Sequence, residues 1–113
     1  MDLQFKTNKL KKQCEDYRIA QRELGVNIGK KLTQRINELR AAETLDDIAK
    51  NSNANGFHEL KGDRSNKYAV YLVHPFRLVF KAVTDNDGNE YLDINSVILE
   101  EVGDYHGKNN RKK

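Results

Sequence analysis

Two periodicities divide the chain. In the first forty residues, stripe positions recur at helical spacing: Leu10, Cys14, Tyr17, Gln21 and Leu24, then Ile28, Leu32, Ile36 and Leu39. Such spacing predicts two amphipathic helices. Thr7 or Asn8 caps the first, because their side-chain oxygens accept from unpaired first-turn amides. Gly25 ends it. Lys30, Lys31, Arg35 and Arg40 fall largely outside the second stripe, and the short connection predicts an antiparallel helical hairpin. Ahead of the hairpin, Leu3 and Phe5 alternate with polar neighbours as a short half-exposed strand.

Beyond residue 56 the period becomes two. Tyr68, Val70 and Leu72 share one face of a strand, and Phe76, Leu78, Phe80 and Ala82 share one face of the next. His74-Pro75 marks the hairpin turn between them, since proline fixes φ and needs no ladder donor. Thr44 to Ala49 reads as one more helical turn, residues 51–56 as a loop and Asp85 to Asn89 as a turn. Tyr91 to Val102 supplies one or two further strands. This order predicts an α+β fold: a short N-terminal strand and a helical hairpin packed on one face of an antiparallel sheet.

At 113 residues the chain holds one core and one domain, placed at 1–107. The tail 108–113 is basic, lacks apolar residues and is expected to be disordered. No apolar run approaches the roughly 20 residues of a membrane span, and the first residues do not form a signal peptide, so a cytoplasmic protein with no membrane partner is expected. Cys14 is the sole cysteine and reads as a packing residue. Net charge is only +3, yet it is segregated. Residues 61–84 carry five basic side chains and one acidic, whereas 85–103 carry six acidic and no Lys or Arg. A positive face set apart from an acidic stretch suits a polyanionic partner.

Arg77 and Lys81 alternate with the core positions of their strand, so period-2 geometry puts both cations on the face away from the helices. His58 and Lys61 enter the sheet from one side, followed by Arg64, while Asp104, Tyr105 and His106 leave it after the last strand. Cleaving RNA through its own 2′-hydroxyl needs a base, cations for phosphate charge and an acid for the leaving oxygen. This inventory supplies each, and Tyr105 also offers a ring on which a base can stack. Each residue has a duller role: His58 as a strand cap, Lys61 and Arg64 as solvated turn cations, Tyr105 as packing, Asp104 as a histidine orienter, His106 as a surface residue. His74 reads as a turn histidine, and a zinc site from His58, His74 and His106 has no geometric support. No metal or other cofactor is expected.

Phe57-His58-x-Leu60-Lys61-Gly62-Asp63-Arg64, Tyr68-x-Val70, Phe76-Arg77-Leu78-x-Phe80 and Asp104-Tyr105-His106 together resemble the HigB branch of the RelE/ParE toxins, the plasmid-maintenance killer proteins. The resemblance implies a RelE-like, microbial-ribonuclease-like fold in a type II toxin–antitoxin toxin. It implies cleavage of ribosome-bound mRNA and restraint by a cognate antitoxin, usually a helix-turn-helix DNA-binding protein. The toxin is expected to be monomeric outside that complex. By position it assigns His58, Asp104, Tyr105 and His106 to catalysis and Lys61 and Arg77 to the phosphate; Arg64 and Lys81, by their charge and place, read as further substrate-binding cations. Two alternatives from other classes are a ParE-like gyrase inhibitor without catalysis and a plain RNA-binding module. Glu59, where proline is common in the family, and the acidic stretch 85–95 depart from its pattern.

Overall fold

The computed structural model describes residues 1–60, 66–83 and 91–104. Its elements run in the order β1 (Asp2–Phe5), α1 (Asn8–Glu15), α2 (Tyr17–Leu24), α3 (Val26–Ala41), α4 (Leu45–Ala49), α5 (Ser52–Asn55), β2 (His58–Glu59), β3 (Lys67–Tyr71), β4 (Phe76–Ala82), a 3-10 turn (Tyr91–Asp93) and β5 (Ser96–Asp104). The strands form one sheet in the order β1-β5-β4-β3-β2. The fold is α+β, as the alternation predicts. The sheet is mixed rather than antiparallel throughout, because β1 pairs parallel with β5 and the other pairs are antiparallel. A parallel pair needs a long crossover, and the helical layer and meander between these strands provide it.

One apolar layer joins helices to sheet. Leu10, Cys14, Ala20, Leu32, Ile36 and Leu39 from the helices meet Tyr68, Val70, Leu78, Phe80, Val97 and Leu99 from the strands. Leu32, Leu78, Phe80, Val97 and Leu99 are wholly buried. Each such side chain contributes about 1.5–3 kcal/mol. The stripe positions of β3 and β4 therefore face the helices, as alternation requires, and the intervening residues occupy the opposite face.

Three local expectations change. The helix expected across residues 8–24 is broken at Asp16, whose backbone is extended and whose Oδ1 accepts from Arg18 N at 2.9 Å, starting α2 afresh. An aspartate that caps competes with helix continuation. In consequence Tyr17, placed on the stripe by spacing, stands 40% exposed. The expected loop 51–56 contains the short helix α5, ended by Gly56 in the left-handed region at φ 72°.

Candidate functional site

His58 is placed by the turn before it. Asn55 is buried, its Nδ2 donating to Ile48 O at 3.0 Å and its Oδ1 accepting from Phe57 N at 2.8 Å. This side chain holds the exit of α5. Phe57 then turns inward and stacks on Tyr68, ring centroids 5.4 Å apart, with Tyr91 edge-on at 5.5 Å. With Phe57 anchored below, alternation sends His58 to the opposite face, where it pairs in register with Ala69 of β3.

Gly56 sets the chemistry of that histidine. His58 Nδ1 lies 2.9 Å from Gly56 O. A carbonyl only accepts, so Nδ1 carries the proton, and when the ring is neutral Nε2 is its basic nitrogen. The same glycine seats a second ring. A Cβ on Gly56 would stand 2.2 Å from Cγ and Cδ2 of Tyr71, so the phenol ring rests directly on the glycine backbone. Left-handed φ and this close approach both require glycine here. The ring centroids of His58 and Tyr71 are 6.2 Å apart.

Register brings a cation to the same place. Tyr71 pairs with Arg77 of β4, and Arg77 pairs with Gly103 of β5. His58, Tyr71 and Arg77 thus share the face turned from the helices, their strands adjacent in the order β2, β3, β4. The guanidinium Nε of Arg77 is buried while the residue as a whole is half-buried. Gly103 beside it has no side chain, and a Cβ there would meet nothing closer than 3.5 Å. The candidate cleft is this stretch of the face, with an imidazole on β2, a phenol on β3, a guanidinium on β4 and a glycine opposite it on β5.

Lys81 is on the same face and exposed, but four residues along β4 from Arg77. At strand rise that is about 13 Å, so the two cations suit different phosphates of one strand. Near Lys81, Lys67 Nζ pairs with Glu100 Oε1 at 2.8 Å. Glu100 is the additional residue of a β-bulge, since Phe80 pairs with Leu99 and Val79 with Glu101. Asp104 ends β5 opposite Phe76, the register of the helix-covered face rather than that of Arg77. Of the expected site residues, His58, Arg77 and Lys81 therefore share one face, and Asp104 enters from the sheet end with the other register. Lys61, Arg64, Tyr105 and His106 lie outside the described residues, as do the expected turn Asp85–Asn89 and tail 108–113.

Two residues of the site were missed by sequence reasoning. Tyr71 alternates against the core stripe of β3, which already marks an aromatic side chain on the far face. Arg35, expected outside the apolar stripe of its helix, is buried at 5% exposure. Its Nε donates to Tyr71 O at 2.7 Å, Nη1 to Glu38 Oε1 at 3.0 Å and Nη2 to Ala54 O at 3.4 Å. One guanidinium thus ties α3 to the end of β3 and to α5, the two segments that carry the cleft. No sequence pattern distinguishes such a clamp from a solvated arginine.

Among the described residues no group of three or more His, Cys, Asp or Glu is disposed to hold a metal ion. No described helix is long and apolar enough to cross a membrane.

The fold and this cleft suit a small toxin of the RelE type. A family model for the RelE-like toxin HigB of type II toxin–antitoxin systems matches residues 3–95, most of the chain. The chain belongs to that HigB-like toxin family, and the family implies a cognate antitoxin as partner. The match ends before Asp104, Tyr105 and His106. A search of curated proteins finds no match.

Proposed function

We propose that this toxin is an endoribonuclease that cuts mRNA on the ribosome and thereby stops translation. The observation that carries the reading is His58 and Arg77 on one face of the sheet, with the imidazole proton held on Nδ1. His58 Nε2 takes the proton of a 2′-hydroxyl, and the freed oxygen attacks the adjacent phosphorus. Arg77 neutralises the charge gathering on the phosphoryl oxygens. The bond to the 5′-oxygen breaks, a protonated side chain returns a proton to it, and a 2′,3′-cyclic phosphate and a 5′-hydroxyl result. Side chains alone perform this sequence.

By resemblance, Lys61 shares the phosphate charge and Tyr105 orients a base or the reacting oxygen; Arg64 and Lys81, as further cations, hold neighbouring phosphates. Asp104 and His106 complete the proton transfers. The antitoxin is a helix-turn-helix DNA-binding protein, the toxin acts as a monomer when released from it, and the work is done in the cytoplasm, where ribosomes are.

The test is cleavage of mRNA on programmed ribosomes by the purified chain. His58→Ala and Arg77→Ala are each expected to lower the rate about 10²–10⁴-fold while thermal unfolding stays at the wild-type temperature. Wild-type rates in both folded variants would end the nuclease reading. A supercoiling assay run alongside distinguishes a gyrase poison, which would act without cutting RNA.

A further inference from the structure

We infer that Tyr71 is the platform on which a nucleobase of single-stranded RNA stacks when its phosphate reaches Arg77. The inference rests on the nuclease reading for its place in the reaction, but its physical basis is separate. The phenol ring is backed by the Gly56 backbone, where even a methyl group would approach within 2.2 Å. The carbonyl of the same residue is held by the buried guanidinium of Arg35 at 2.7 Å. Folding has therefore already fixed the ring, and a ligand need not order it. Ligand sites gain most from groups arranged in advance in this way.

Exposure points the same way. Tyr71 is 48% exposed at the end of β3, whose middle residues Tyr68, Ala69 and Val70 are buried. Among the described residues the other exposed large apolar ones are Tyr17, Val26, Val73 and Leu92. Tyr17 and Val26 lie on α2 and α3, in the helical layer. Tyr71 alone among these five pairs across a strand with an arginine and has an imidazole ring beside it, 6.2 Å away. Flat aromatic surface beside a fixed cation is the arrangement that binds single-stranded nucleic acid, the ring taking the base and the cation the backbone. Because every base has a π-face, the platform positions the RNA and tolerates any sequence. A base seated on Tyr71 brings its ribose between Arg77 and His58, where the 2′-hydroxyl must be.

The chain contains no tryptophan, so Tyr71→Trp introduces a single indole reporter at this position. A mixed-sequence single-stranded oligoribonucleotide is expected to quench its emission, and an abasic strand of equal length is expected not to. Tyr71→Leu should weaken binding of the base-bearing strand about 5- to 150-fold and leave the abasic strand unaffected, while Tyr71→Phe restores affinity. An unquenched indole overturns the platform, as does an equal loss on both strands or no loss on either. Cleavage on ribosomes is scored separately. Quenching without cutting would keep the platform and remove the nuclease. Cutting at the same rate by wild type and Tyr71→Leu, with no quenching, would remove the platform and keep the nuclease.

Discussion

Gly29 in the helical layer and Gly56 beside the cleft both exclude a side chain, for different physical reasons. At Gly29 a Cβ would stand 2.9 Å from Gln21 N and 3.0 Å from its Cα, so α2 and α3 touch backbone to backbone. The helix geometry is ordinary there, and the glycine serves only closeness. At Gly56 the obstacle is the ring of Tyr71, and the backbone itself lies at φ 72°. That glycine also supplies the carbonyl that fixes the His58 proton. The first site is about cohesion, the second about aim. On the proposed function, stability rests on the first region and activity on the second, with Arg35 joining them.

Arg35 is where the separation should fail, and it gives the largest effect. Arg35→Leu leaves the carbonyls of Tyr71 and Ala54 without their guanidinium and is expected to cost about 3 kcal/mol in urea unfolding. Cleavage should fall with it, since both segments of the cleft lose their tie. Unchanged stability would show that the clamp is incidental. Gly56→Ala should cut the other way, lowering cleavage about 10²-fold as Tyr71 is displaced, with only about 1–2 kcal/mol lost to left-handed strain. Equal losses in both quantities would erase the contrast between the two glycines.

Gly29→Ala pushes against backbone, which cannot rotate away, and should destabilise by about 1–3 kcal/mol with the cleavage rate of the folded protein unchanged. A smaller effect is expected at high pH. Burial pushes the Cys14 thiol from 9.0 up to about 12, with Arg40 opposing and Glu15 assisting. The folded state thus holds that proton more tightly than the unfolded chain, so the contribution is intact below pH 9.0 and is lost as pH rises towards about 12. Burial likewise raises Tyr68 from 10.0 to about 12, so its loss begins one unit later. Cys14→Ala should therefore flatten the decline in unfolding free energy between pH 9 and 10, before the tyrosine contributes.

The contrast also explains what could be read from residues alone. β4 (Phe76–Ala82) and α3 (Val26–Ala41) are legible because long runs keep one period, and Arg77 and Lys81 follow from alternation within that run. The Asp16 break is not, because a polar residue between stripe positions looks the same inside a helix as at its cap. The parallel docking of β1 is also hidden, since Leu3 and Phe5 alternate identically in either direction. Least legible are contacts between remote segments. Gly56 beneath Tyr71 and Arg35 against Tyr71 O arise from tertiary approach, and neither glycine nor arginine announces its distant neighbour. The terminal Asp104-Tyr105-His106 element is legible by resemblance, whereas the phenol of Tyr71 belongs to no such motif.

The last strand to be synthesised among these elements, β5, sits between β1 and β4 and pairs with both. A nascent chain halted before Ser96 holds β1 apart from the meander, with raw hydrogen-bonding edges on each and no partner to join them. Assembly must then wait for a closure of nearly the whole chain length, a slow kind of step. The sheet that carries His58 and Arg77 is therefore complete only once β5 has been made.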